Sequence, residues 1–211
     1  MRSMNFLFAK QRLLTAVLAV LTFAGGARSF AQTEHTIYFF SETQIVDSQA
    51  GLIADSSGAL YGTTSFGGSA SDGTVYKLSP PAAPGAPWKG SVLYTFTGGG
   101  DGATPFCSLV LDSHGALYGT TLTGGVYGWT AFQLEPPSVP GGAWTENVIY
   151  SADGAVEAGL AMDATGALYG ATTSGEIFQL VPPAIVGGGW DVSSAVHAGA
   201  RIVRCEQPHS R

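Results

Sequence analysis

The amino-acid sequence predicts an all-β protein in which about three tandem blades, each of four antiparallel strands, form an incomplete β-propeller-like array. A block that ends in Leu-Tyr-Gly recurs three times in the same order. Thirty glycines and eleven prolines are interspersed with regularly spaced Val, Leu, Tyr and Phe, which is typical of many short strands joined by turns. A continuous β-sheet solenoid is the alternative fold.

The sequence pattern divides the chain into three segments. Residues 1–31 are predicted to be a signal peptide, residues 32–197 a β-repeat domain, and residues 198–211 an aberrant C-terminal tail. The repeats span about 51–106, 107–158 and 159–197, with a partial strand at 35–40.

The prediction of a signal peptide rests on three adjacent features. The basic residues at its start are Arg2, Lys10 and Arg12. An apolar run at 13–24 follows, and Ser29 and Ala31 place small residues before a cleavage point at Gln32. The apolar run is shorter than the roughly 20 residues that cross a bilayer. We therefore expect an exported protein, in the periplasm, at the cell surface or outside the cell, with no transmembrane segment in the mature chain.

Export would make the chain strongly acidic. Removing residues 1–31 takes away four of the nine basic residues and none of the fifteen acidic ones. The mature chain would then carry five basic and fifteen acidic side chains, a net charge of −10. Lys77 and Lys89 are the only basic residues between Gln32 and Ala200. Because phosphate binding needs clustered Lys and Arg, we expect no nucleic-acid partner.

Each repeat is predicted to contain the same four strands. The first strand is apolar throughout, and an Asp-x-x-Gly turn connects it to a second strand that begins with Leu-Tyr-Gly. The third strand alternates apolar and polar residues and ends at Pro-Pro, which cannot donate to a ladder. The fourth strand alternates as well, at 91–96 and 147–150, and residues 35–40 resemble an isolated copy of it. The apolar strands are 52–54, 109–111 and 160–162.

The series Asp-x-x-Gly-x-Leu-Tyr-Gly-Thr-Thr, Gly-Thr-Val-Tyr-Lys-Leu and Leu-Tyr-x-Phe-x-Gly-Gly-x-Asp-Gly-Ala-x-Pro resembles the GloVer tandem repeat of exported bacterial proteins. The resemblance covers roughly residues 35–192. In the order of its strands the repeat is also similar to NHL-type propeller blades. The resemblance implies a propeller-like fold and carries no activity with it.

The turn aspartates of the three repeats are the weak candidates for a metal site. Asp55, Asp112 and Asp163 recur at equivalent positions, as calcium ligands would. No Asp-x-Asp-x-Asp pattern concentrates their oxygens around one ion, however, so the preferred interpretation is that each caps its own turn. The sequence predicts no catalytic residue, no cofactor and no metal site.

One tryptophan follows the Pro-Pro pair of each repeat. Trp88, Trp144 and Trp190 are candidates for stacking on a sugar ring, although a Trp repeated once per blade more often packs between neighbouring sheets. The two cysteines, Cys107 and Cys205, are not expected to form a necessary disulfide.

The sequence favours a non-catalytic protein with a binding or structural role at the cell envelope or outside the cell. Its partner is expected to be a protein or a carbohydrate. A propeller enzyme that acts on polysaccharides or lactones is one alternative. A truncated, non-functional remnant is another, because Arg201, Arg204 and Arg211 change the composition abruptly after the third repeat. Self-association is expected if three blades leave an edge exposed.

Overall fold

The computed structural model describes residues 35–40, 47–154, 156, 158–185 and 188–197. Every described strand belongs to the unit Ile37–Arg211. The described residues contain thirteen β-strands and no helix, and the strands form three antiparallel sheets. The predicted all-β class and the tandem blades are therefore confirmed.

The blades follow one another along the chain. Blade 1 consists of β1 (Ile53–Ala54), β2 (Leu60–Thr64), β3 (Thr74–Ser79) and β4 (Lys89–Thr95). Blade 2 consists of β5 (Ala103–Pro105), β6 (Val110–Leu111), β7 (Leu117–Thr123), β8 (Trp129–Glu135) and β9 (Thr145–Ala152). Blade 3 consists of β10 (Ala161–Met162), β11 (Leu168–Ala171), β12 (Glu176–Val181) and β13 (Asp191–His197).

The three sheets are separate in the described part of the chain. Each repeat pairs its own strands in sequence order, and no ladder connects one blade to the next there. A solenoid would instead extend one sheet through all the repeats. The architecture is thus an open, propeller-like array of blades, and the solenoid alternative is wrong.

Blade 2 has a fifth strand that the sequence did not predict. β5 pairs with the far end of β7, through Ala103 with Thr123 and Pro105 with Thr121. β6 pairs with the near end of the same strand. A proline in the sequence argues against a strand, because it has no N–H group to donate to a ladder. Pro105 is nevertheless accommodated, because β5 lies at the edge of its sheet.

Residues 37–40 lie on blade 1 in the manner of a fourth strand, although the structure assigns no strand to them. The Phe40 ring lies 4.8 Å from the ring of Tyr76. One blade later, Phe96 lies 5.1 Å from Phe132 in the same edge-on arrangement. The aromatic contacts of the predicted strand at 35–40 are therefore present without its hydrogen-bond ladder.

Apolar side chains hold the blades against each other. One buried cluster joins blades 1 and 2, and a second joins blades 2 and 3. In the second cluster Trp129, only 1% exposed, packs 5.2 Å from Phe178. The strand registers place Trp129 opposite Ala152 in blade 2. The equivalent pair in blade 1 is Gly73 and Phe96, and the Phe96 N–H donates a hydrogen bond to the Gly73 carbonyl. The large aromatic ring of the pair is thus Phe96, just after β4, in blade 1, and Trp129, at the start of β8, in blade 2.

Several predictions fall outside the described residues: the signal peptide at 1–31, the tail at 198–211, and Cys205. Cys107 is buried at 2% exposure, as expected for a small core residue. Within the described residues, no helix is long and apolar enough to cross a membrane.

Candidate functional site

The turn aspartate of each repeat is part of a recurring Asp–Tyr unit. In blade 2, Asp112 Oδ1 accepts hydrogen bonds from the backbone N–H of His114 at 2.8 Å and of Ala116 at 2.9 Å. The hydroxyl of Tyr118 donates to Asp112 Oδ2 at 3.2 Å. Gly115 adopts a φ of 88°, which the tight turn requires and which glycine adopts without strain. The carboxylate therefore caps the turn and fixes the tyrosine.

The same unit occurs in the other two blades. The Tyr61 hydroxyl donates to Asp55, and the Tyr169 hydroxyl donates to Asp163, both at 2.9 Å. Hydrogen bonds of this kind favour the ionised carboxylate. Those from Thr165 and then Tyr169 lower the pKa of Asp163 to about 2. Burial alone would raise the pKa of Asp55, but hydrogen bonds outweigh it and that pKa is also about 2.

These contacts agree with the interpretation of the three aspartates as turn caps. Asp55, Asp112 and Asp163 lie in three different turns and are not brought together. Among the residues that the structure describes, no three His, Cys, Asp or Glu side chains are grouped as a metal ion would need. The geometry therefore gives no support to the calcium hypothesis.

A residue on the third predicted strand of each repeat completes the unit, and its type varies. Gln133 donates to the Tyr118 hydroxyl oxygen at 3.0 Å, and Gln179 donates to that of Tyr169 at 2.9 Å. In blade 1 the same position is Lys77. Its ammonium group lies 5.0 Å from the centre of the Tyr61 ring and 3.9 Å from Asp55 Oδ2.

The Asp–Tyr unit of blade 2 lines a groove of about 1100 Å³. One side of the groove is formed by blade 2, and the other by residues 183–185 and 188–190 of blade 3. The polar and aromatic side chains that line the groove are Asp112, His114, Tyr118, Gln133, Glu135, Asn147 and Trp190. The groove thus combines two aromatic rings with amides and carboxylates.

The two aromatic rings of the groove contact each other. Tyr118 and Trp190 meet edge to face, with 5.9 Å between the ring centres. Burial, and then the negative charge of Asp112, raise the pKa of Tyr118 to about 12, so its phenol stays protonated. Because Gln133 and Asp112 hold that hydroxyl, the polar wall of the groove is preorganised.

The three candidate tryptophans have different surroundings. Trp190 is half-buried and lines the groove. Trp144 packs against the apolar cluster between blades 1 and 2. Trp88 is half-buried on blade 1 and does not line the groove. The structure brings only Trp190 to the candidate site, and a stacking role for any of the three stays a prediction.

Two carboxyl groups interact near the contact between blades 1 and 2, away from the groove. Burial, and then the charge of Asp101, raise the pKa of Glu146 to about 7. Burial opposes ionisation of Asp101 too, but hydrogen bonds from Thr97 and Tyr94 outweigh it and lower the pKa of Asp101. Glu146 Oε1 is buried and has no hydrogen-bond partner among the described residues. An acid–base role would require a substrate to reach this oxygen.

Sequence reasoning identified Trp190 but missed Tyr118, Gln133 and Asn147. Tyr118 belongs to the Leu-Tyr-Gly block and was interpreted only as the start of a strand. The change from Lys77 to Gln133 within an otherwise matching motif was the available signal, because a repeat position that varies in charge marks a difference in function or environment.

Comparison with known families agrees with the internal repetition. The family model described as Gloeobacter/Verrucomicrobia repeat matches residues 24–182. No curated protein matches the chain.

Proposed function

This chain belongs to the Gloeobacter/Verrucomicrobia repeat family, and we propose that it is an exported, non-catalytic binding protein that holds a carbohydrate in the groove between blades 2 and 3. The observation that carries the proposal is the lining of that groove. Trp190 offers a half-buried aromatic surface, beside the Tyr118 hydroxyl that Gln133 holds and the exposed amide of Asn147.

A carbohydrate suits this lining for a physical reason. Sugar rings have apolar C–H faces, which pack on aromatic rings, and hydroxyl groups that need several hydrogen-bond partners. The groove offers both kinds of surface within one cavity of about 1100 Å³, which is large enough for an oligosaccharide. Because hydrogen bonds already hold the Tyr118 hydroxyl, this group does not need to be ordered when a ligand binds.

The non-catalytic part of the proposal rests on the position of the carboxyl groups. Asp112 is engaged as a turn cap by two backbone N–H groups and a phenol. The interacting pair Asp101 and Glu146, whose pKa values are shifted in opposite directions, does not line the groove. Export rests on the sequence features of residues 1–31.

The test is a binding survey with the purified chain. Affinity electrophoresis in gels that contain soluble polysaccharides, followed by titration calorimetry with oligosaccharides, should identify at least one glycan that binds. Trp190→Ala should weaken that binding by about tenfold, the usual value of a lost aromatic stacking contact. Trp88→Ala, the same change at the equivalent position of blade 1, is the matched control and should leave the affinity unchanged.

Two results would contradict the proposal. The first is the absence of binding to any polysaccharide while an extracellular protein binds in a manner that Trp190→Ala abolishes. The second is the appearance of new reducing ends or opened lactones when the chain is incubated with its ligand, which would support the enzyme alternative.

A further inference from the structure

We infer that the groove between blades 2 and 3 is selective for glycans that carry a primary ammonium group, such as polymers that contain amino sugars. This inference rests on the proposed function and specifies its ligand. It comes from a comparison of the same Asp–Tyr unit in blade 1 and in blade 2.

Blade 1 shows what this unit binds when a cation is supplied to it. The ammonium group of Lys77 lies 3.9 Å from Asp55 Oδ2 and 5.0 Å from the centre of the Tyr61 ring. The carboxylate contributes a charge interaction, and the ring face contributes a cation–π interaction. The Asp–Tyr unit of this chain is therefore an ammonium-binding geometry, occupied within blade 1 by the chain's own lysine.

Blade 2 has the same carboxylate and phenol but no lysine. Asp112 and Tyr118 keep the hydrogen bond of the unit at 3.2 Å, and Gln133 replaces the lysine. Of the two carboxylates that line the groove, Asp112 is 16% exposed and faces one imidazole, that of His114, at 3.9 Å. Asp112 and Tyr118 both line the groove, so a ligand in the groove can bring an ammonium group to the carboxylate.

The charges around the groove favour the same ligand. Its lining includes the carboxylates of Asp112 and Glu135, and neither Lys nor Arg is present among its described lining residues. The whole chain has a net charge of −6, which attracts cationic ligands over a longer range. An acidic glycan such as a polyuronate would meet like charges, and a neutral glycan would gain no charge interaction with Asp112 and Glu135.

The two aromatic rings extend the argument from an ammonium group to an amino sugar. A simple amine would contact Asp112 and Tyr118 alone. A glucosamine unit can place its ammonium group there and its ring on Trp190, whose centre lies 5.9 Å from that of Tyr118. One ligand then makes both the ammonium contact and the ring contact, which gives selectivity as well as affinity.

The experiment compares three oligosaccharides that differ in charge: glucosamine oligomers, their N-acetylated counterparts, and galacturonate oligomers of the same length. Titration calorimetry with the full chain at neutral pH should show glucosamine oligomers binding about tenfold more tightly than the N-acetylated ones. Galacturonate oligomers should bind most weakly. Added salt should reduce the preference, because the interaction is partly between charges.

Two pairs of variants locate the effect. Gln133→Lys introduces into blade 2 the lysine that blade 1 has, and should abolish the preference for glucosamine oligomers. Gln179→Lys makes the same change in blade 3, outside the groove, and should preserve it. Asp112→Asn keeps an oxygen for the turn but removes the charge, and should also abolish the preference, whereas Asp163→Asn should not.

The possible failures are distinguishable. If the wild type binds all three glycans equally, or if Gln179→Lys acts like Gln133→Lys, the ammonium inference is overturned while the proposed function stands. If no glycan binds, both are overturned. If lysine-rich peptides bind and compete where glycans do not, the ammonium geometry is used for a protein partner and the proposed ligand class is wrong.

Discussion

Tyr38 lies directly against Gly90: a Cβ atom placed on Gly90 would come within 2.5 Å of the Tyr38 hydroxyl oxygen. In blade 2 the position of Gly90 is occupied by Glu146, by the strand registers. The absence of a side chain at Gly90 therefore lets the Tyr38 ring lie directly against the backbone of β4.

This contact predicts that Gly90→Ala will destabilise the protein and that Tyr38→Ala will suppress the effect. The added methyl group must displace the Tyr38 ring, and in the double variant there is no ring to displace. Thermal unfolding of the two single variants and the double variant gives the coupling. Phe39→Ala is the control, because Phe39 is 84% exposed. Strictly additive effects of the two changes would show that the contact is not formed.

The core predicts a large cost for Trp129→Ala. Trp129 is 1% exposed and packs on Phe178, so truncation leaves a cavity between blades 2 and 3. Replacing a buried aromatic residue by alanine costs about 3–5 kcal/mol. Urea unfolding should show this loss. Tyr127 lies in the loop just before β8 and is 64% exposed, so the control variant Tyr127→Ala should change stability little. A small loss for Trp129→Ala would mean that the interface is not a packed core.

The turn aspartates predict a metal-independent stabilisation. Asp112→Ala removes an acceptor for two backbone N–H groups and should cost about 0.5–2 kcal/mol, as side-chain caps do. Asp112→Asn should cost less, because its amide oxygen can still accept. Melting temperatures should be the same with calcium and with a chelator. A wild type that the chelator destabilises would restore the calcium hypothesis.

Glu146 predicts a dependence of stability on pH. Its pKa is raised from 4.5 to about 7 in the folded chain, first by burial and then by the charge of Asp101. Between these two values the folded state binds a proton that the unfolded state has lost, so this group's contribution is full below about pH 4.5 and is lost as the pH rises through about 7. Asp101, whose pKa is lowered from 3.8, has the opposite dependence: it stabilises the folded state above that value, and this contribution is lost as the pH falls further.

Glu146→Gln tests this sign. The variant should melt at the same temperature as the wild type at pH 4.5 and at a higher temperature at pH 8, where the wild type carries a buried charge facing Asp101 and Tyr94. The control is Glu135→Gln, which removes one negative charge on the rim of the groove. Equal pH profiles for wild type and Glu146→Gln would contradict the prediction.

The repeated pattern was sufficient to predict the blades, because the apolar strand, the Asp-x-x-Gly turn and the alternating strands each have a local cause. It was less informative at the edges of the blades. Leu52 matches Leu109 and Leu160 in sequence, yet it is 49% exposed while they are 3% and 9% exposed. The difference arises from which blade faces each residue, and a local pattern does not contain that information.

The groove was beyond local reasoning for the same reason. Tyr118 and Trp190 are distant in the chain and meet only because blade 3 packs on blade 2. β5 was not predicted because a proline such as Pro105 normally interrupts a strand. That β5 lies at a sheet edge follows only from the pairing of Pro105 with Thr121. The groove and β5 thus depend on long-range packing, which sequence periodicity does not predict.

The position of the large aromatic residue differs between the two blade junctions, and this difference has a consequence for how the gene can change. At one junction the large ring is Phe96, beside Gly73, and at the next it is Trp129, beside Ala152. Tandem repeats recombine with one another and tend to become identical. A crossover that combined Phe96 with a tryptophan at position 73 would overfill the junction, and one that combined glycine with Ala152 would leave it hollow. Paired substitutions of this kind would oppose homogenisation of the repeats and preserve their order along the chain.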